Sequence, residues 1–163
     1  MKKFFSLFVG FLFFGIATFL IVAPAIVDDG ANVVVAHQPY EISERAAALH
    51  SSLLVGDWHA DSLLWMRDLT EQYDYGHLDF PRMQQGNMAL QMFTTVTKSP
   101  RGQNYDRNAS DAADNITLLA LAQRWPAAAY NSLFARAMLQ AERVLTAAEH
   151  SSQLTLIRSK RDL

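Results

Sequence analysis

The chain has 163 residues, no Cys and a formal net charge of −2. That length fits one domain or part of a larger one, and the lack of Cys excludes a disulfide framework and any thiolate metal site. With Lys2 and Lys3 set aside, 12 of the 14 Lys/Arg remain against 16 Asp/Glu, a net charge of −4, so the soluble part has no basic stripe for nucleic acid.

Lys2 and Lys3 precede an uncharged run from Phe4 to Val27, 24 residues long. As a helix it measures about 36 Å at about 1.5 Å per residue, enough for a bilayer core of about 30 Å. Residues 1–27 therefore read as a signal-anchor or a signal peptide. The length favours an uncleaved anchor, since a cleaved signal has an apolar core of about 7–15 residues. Ala23-Pro24-Ala25 offers small residues at cleavage-like spacing, with Pro at the middle position against it. Either way the two lysines stay inside and the chain from Asp28 is exported. The expected location is a membrane with a single-pass N-terminal anchor, or the secreted or periplasmic space after cleavage.

Residues 28–40 read as a linker. Asp28-Asp29-Gly30 closes the apolar run, Val33–Val35 could add a short edge strand, and Gln38-Pro39 breaks regular structure. A helical pattern follows from Ser43 through Ala46, Ala47, Leu49 and His50, with Glu44 where the helix dipole favours negative charge. The run Leu53–Asp57 reads as a strand. Ser62–Thr70 reads as helical or irregular, Glu71–His77 as a polar loop, and Leu78–Asn87 as a short helix stopped by Gly86-Asn87. Met88–Val96 reads as a second strand, apolar enough to be buried on both faces, as parallel sheets require.

Ser110 is the expected N-cap of the next helix, which Trp125-Pro126 interrupts. Ala127–His150 reads as one long helix, with Leu133, Ala137, Met138, Ala141, Val144, Leu145 and Ala148 at packing spacings. Leu154–Ile157 reads as a third short strand. Ser159-Lys160-Arg161-Asp162 then has the form of a helix start with a side-chain cap. Strands alternating with helices predict an α/β fold with parallel strands.

The chemistry concentrates in Val55-Gly56-Asp57-Trp58-His59-Ala60-Asp61. His59 and Asp61 stand two apart, so on an extended strand they point the same way. An imidazole and a carboxylate side by side suit a divalent metal such as zinc. Alone, the spacing is a weak signal that also arises as a surface accident. By parity Asp57 shares their face, either supporting a ligand or capping the local backbone. His77 reads as a surface residue, His50 as a helix-end residue and Arg82 as a structural ion-pair partner.

Two segments together carry a family resemblance. Leu49–Trp65, LHSSLLVGDWHADSLLW, resembles the first barrel strand of the membrane (renal-type) dipeptidases, a family of zinc peptidases in which an apolar strand ends in Asp-x-His-x-Asp. Leu78–Val96 resembles that family's following helix and second strand, through Asp79, Pro81, Arg82, Gly86 and Gln91-Met92-Phe93. The resemblance implies that residues 41–163 are the N-terminal part of a metallo-dependent hydrolase (β/α)₈ TIM-type barrel. It implies a binuclear zinc site in which His59 and Asp61 supply two ligands, and hydrolysis of dipeptides by a metal-bridged water. Dipeptide substrate, the membrane through residues 1–27 and a homodimer are the partners to consider.

This chain departs from the family pattern at Trp58, where a small residue is frequent, and at Ala60, where Asn is frequent. No later acid matches the bridging Glu, and His77 and His150 fall in loop and helix-end contexts. No catalytic residue beyond the metal pair and no substrate-binding residue is identifiable. The expectation is therefore an N-terminal portion, inactive alone because two ligands do not hold two metals. The alternatives are another amidohydrolase-type metal hydrolase, for which H-x-H would be the usual first-strand pair, and a non-catalytic membrane-tethered binding module.

Overall fold

The computed structural model describes residues 2–162; Met1, the start of the leader segment, and Leu163, the end of the expected barrel portion, lie outside the described residues. The chain folds as an N-terminal helix α1 (Lys2–Ala31) joined to a mixed α/β body. The body runs α2 (Glu44–Ser52), β1 (Val55–Ala60), a 3₁₀ turn (Ser62–Leu64), α3 (Phe80–Gln85), β2 (Met88–Phe93), α4 (Asn115–Ala122), α5 (Ala128–Asn131) and α6 (Leu133–His150).

Local chemistry sets most boundaries. The Ser43 hydroxyl accepts from Ala46 N–H and starts α2. Asp79 starts α3 by accepting from Arg82 N–H at 2.9 Å, with Pro81 in the first turn, where its missing N–H costs nothing. Asn87 follows with φ of 53°, and its amide donates to His50 O and Leu53 O, tying the end of α3 to the end of α2. Arg82 is structural: it donates to Asp79, Gly76 O and Tyr75 O.

β1 and β2 pair in parallel, as the predicted α/β pattern requires, with α3 in the crossover. Their register slips twice, between Val55 and Gly56 and again between Asp57 and Ala60. At the second slip β1 has one residue more than β2, a β-bulge, and the alternation of exposure breaks at Trp58-His59, both outward. The strand thus runs three residues beyond the expected end at Asp57, with His59 inside it. β2 is half-exposed rather than buried on both faces and ends at Phe93, short of Val96. The reason is side-chain capture: Gln140 of α6 accepts from Val96 N–H and donates to Val96 O, taking the backbone groups a ladder would use.

Several expectations are corrected. The helix expected from Ser110 starts at Asn115, because Asp114 caps it by accepting from Ile116 N–H at 3.0 Å. The long helix expected over Ala127–His150 is two, broken at Ser132, whose hydroxyl caps α6 at Ala135 N–H. Among the described residues neither Val33–Val35 nor Leu154–Ile157 pairs as a strand. The helix-start motif does form its hydrogen bonds: Asp162 accepts from Ser159 N–H at 2.7 Å and Ser159 Oγ accepts from Arg161 N–H.

The linker reading of residues 28–40 changes most. Helix α1 continues to Ala31, and its last turns are part of the body. Asp28 is buried and pairs with the buried Arg67 at 2.7 Å. Pro24 O accepts from Gln123, and Asn32 O accepts from Gly76 N–H at 2.9 Å. Positions 24, 28 and 32 follow one face of a helix. Gly76 has φ of 78°, and a Cβ there would sit 2.1 Å from the Arg67 guanidinium, so only Gly admits this close approach. From Phe4 to Val22 α1 is apolar and, apart from Val9, exposed, and the helix is long and apolar enough to cross a membrane.

Two small cores close the body. One gathers Leu63, Leu69, Phe80 and Ala147; the other gathers Ile116, Ala120, Trp125 and Ala129. The 3₁₀ turn bridges them, with Leu63 in the first and Leu64 against the second. This places the segment after β1 between both cores and α6.

Candidate metal centre

His59 stands at the end of β1, and Asp61 opens the 3₁₀ turn. His59 Nε2 and Asp61 Oδ2 approach to 3.3 Å, with the side chains 69% and 40% exposed. A charge-assisted hydrogen bond of this kind is shorter, about 2.7–2.9 Å. Two ligands at about 2.0–2.2 Å from a tetrahedral zinc ion stand about 3.3–3.5 Å apart. That separation matches one edge of a tetrahedral site, and it is also the length of a long hydrogen bond between the two side chains.

Asp61 is positioned from its other oxygen. Thr94, just past β2, donates from Oγ1 to Asp61 Oδ1 at 2.5 Å, and its N–H donates to Ala60 O at 3.0 Å. That leaves Oδ2 aimed at His59. Parallel pairing makes this possible, because both strands end on the same side and bring Thr94 beside Asp61. Arg143 of α6 holds the following turn by donating to Leu63 O and Trp65 O, and its guanidinium lies over the Trp125 ring at 5.5 Å. Burial pushes the Arg143 guanidinium below its ordinary range. The His59 ring has less support, since Nδ1 makes no hydrogen bond among the described residues.

Asp57 takes neither expected role. Its Oδ2 accepts from Gln91 Nε2 at 2.8 Å across the sheet. The bulge between Asp57 and Ala60 undoes the parity on which the shared face rested. Gln91 Oε1 is buried without a partner among the described residues. Among those residues no group of three His, Asp or Glu gathers as a metal site. His77 and His150 stay apart from the pair; both are exposed, and His150 Nδ1 lies 2.7 Å from Thr146 O. A cavity of about 380 Å³ lies between Ser62–Thr70 and α6, and neither His59 nor Asp61 lines it.

Compared with family models, with curated proteins and with solved structures, the chain matches none. The geometry of the pair is thus the observation on which a functional reading rests. Thr94 and Arg143 were missed by sequence reasoning. A Thr directly after a strand carries no pattern of its own; only the register of β2 against β1 makes it a neighbour of Asp61.

Proposed function

We propose that the chain supplies a metal half-site to a zinc-dependent hydrolase of the membrane dipeptidase type, cleaving the peptide bond of dipeptides, with α1 as its membrane anchor and the body exported. The observation that carries this reading is the 3.3 Å separation of His59 Nε2 and Asp61 Oδ2, with Thr94 holding the second Asp61 oxygen. Zinc bound in such a site lowers the pKa of water and polarises a carbonyl. In this reading the chain's own residues do three things. His59 and Asp61 hold the ion, Thr94 keeps Asp61 from rotating away, and Arg143 fixes the turn that follows.

Two ligands suffice for weak binding of one ion and not for a binuclear centre. The 163-residue chain alone is expected to bind zinc weakly and to hydrolyse dipeptides at background rate. Zinc titration of the chain and of His59→Ala tests this. The expected result is a loss of about tenfold or more in zinc affinity. Equal affinity in the chain, His59→Ala and Asp61→Asn overturns the metal reading. Robust dipeptide hydrolysis by the chain, lost in His59→Ala, overturns the half-site reading in favour of a complete site.

A second reading, a non-catalytic membrane-tethered module, draws on one observation: no third ligand joins the pair among the described residues. It predicts no zinc dependence of any property of the chain.

A further inference from the structure

After its first turn, which holds Asn115 and Thr117, helix α4 is apolar, with the sequence Asn-Ile-Thr-Leu-Leu-Ala-Leu-Ala and no charged residue. Such a helix in a soluble protein is normally enclosed. Here Ile116 and Ala120 are buried in the second core, with Leu119 packed against it. Leu118 and Leu121 lie on the other side, 58% and 47% exposed. Met66, also exposed, lies at the C-terminal end of α4, where its N–H donates to Gln123.

The position of α4 along α1 says what covers this side. Gln123, itself buried, donates to Pro24 O at 2.9 Å. A bilayer core of about 30 Å takes about 20 helical residues. Counted from Phe4, the first residue of the apolar run, that distance ends at about Ala23. The C-terminal end of α4 therefore meets α1 at the outer boundary of the hydrocarbon. Ala23 and Pro24 are buried at that contact, while Val22 and Ile26 of α1 remain exposed. The Asp28–Arg67 pair and the Asn32–Gly76 hydrogen bond fix the body in this position. Arg124, exposed and next to Gln123, places its guanidinium against Met66 Sδ.

We infer that the body is not suspended above the membrane but seated in it: the outer face of α4, through Leu118 and Leu121, lies in the lipid interface beside α1. The occupant of this face is the bilayer surface, because the C-terminal end of α4, where Leu121 lies, meets α1 at the level where the hydrocarbon span ends. The inference rests on α1 crossing the membrane and goes beyond it in assigning a second lipid-contacting element.

The absence of Cys makes single labels unambiguous. An environment-sensitive fluorophore is attached to Leu118→Cys, Leu121→Cys, Ile16→Cys within α1, and Leu54→Cys just before β1. All four positions are exposed, so labelling leaves the cores intact. The full chain is reconstituted in phosphatidylcholine–phosphatidylglycerol vesicles carrying shallow nitroxide lipids. Positions 118 and 121 are expected to shift to the blue and to be quenched by lipid nitroxide at least about twofold more than position 54. Quenching at 16 with none at 118 and 121 overturns the seating and leaves the span intact. No lipid quenching at 16 overturns the span reading itself. Protection of 118 and 121 from both lipid and aqueous quenchers overturns the lipid assignment in favour of a protein partner.

Discussion

Two pairings of a carboxylate with a basic side chain differ in what they leave free. In the helical half, Arg136 is buried and donates to Asp114, Thr97 O, Ala129 O, Thr117 Oγ1 and Tyr130 O. Asp114 also accepts from Ser99 N–H and Ile116 N–H. Nothing in that network has capacity for a ligand. At the tip of β1, His59 and Asp61 face solvent, with one ring nitrogen and one carboxylate oxygen 3.3 Å apart. A saturated network builds the fold; an exposed pair held from behind by one hydroxyl is what remains available for chemistry.

The comparison breaks most sharply at Arg136. Arg136→Met leaves Asp114 and three backbone carbonyls without their donor, and removal of one partner of a buried pair costs about 3–5 kcal/mol. Thermal unfolding is expected to show a large loss of Tm, or no cooperative transition.

Thr94→Val is expected to act in the opposite place. It removes the hydroxyl behind Asp61 while preserving shape, and loss of such a support weakens metal binding by about 10–100-fold. Zinc titration reads that loss. An unchanged affinity shows that Asp61 needs no positioning from β2.

The third expectation concerns acid. Partial burial pushes the Asp114 carboxyl up, but the Arg136 guanidinium and the Ser99 and Ile116 N–H groups outweigh it and bring it down to about 2. A carboxyl lowered in the folded state contributes stability above its unfolded value of about 3.9, and that contribution is lost as pH falls towards about 2. Discounted for partial solvent contact, it is on the order of 1–2 kcal/mol. Urea unfolding at pH 5 and pH 2.5 is expected to show a smaller pH effect in Asp114→Asn than in the parent chain. An equal effect removes Asp114 from the account.

The smallest effect is expected at the tip. His59→Ala removes a largely exposed side chain with one weak contact, so stability without zinc should change by less than about 0.5 kcal/mol. With zinc added, the parent chain gains Tm through mass action and the variant does not. A large loss without zinc would make His59 a structural residue.

The pairing of His59 with Asp61 was legible because H-x-D is a local pattern, and residues two apart stay neighbours although Asp61 lies just past β1, at the start of the 3₁₀ turn, and not on the strand. The alternation of strand and helix likewise foretold the parallel pair. What stayed illegible depended on distant partners. Asp57 was given the wrong neighbour because a bulge is a property of two strands and not of one. The third strand failed because LTLI finds no partner among the described residues. The start of α4 moved from Ser110 to Asp114 because Ser99 and Arg136, far along the chain, hold that carboxylate in place. Asp28 looked like the start of a polar tether until Arg67 was beside it.

That last correction alters what the chain between α1 and α2 does. A free linker over residues 28–40 would let the body wander by about 20 Å, from about 5–6 Å × √13. With Asp28 and Asn32 docked to Arg67 and Gly76, the segment from Val33 to Ser43 carries no load and sets no height. It is an excursion that leaves the body and returns to it. Lengthening or shortening it should leave the position of His59 relative to α1 unchanged, whereas one residue inserted in α1 between Pro24 and Asp28 would rotate the docking face by about 100° and unseat the body.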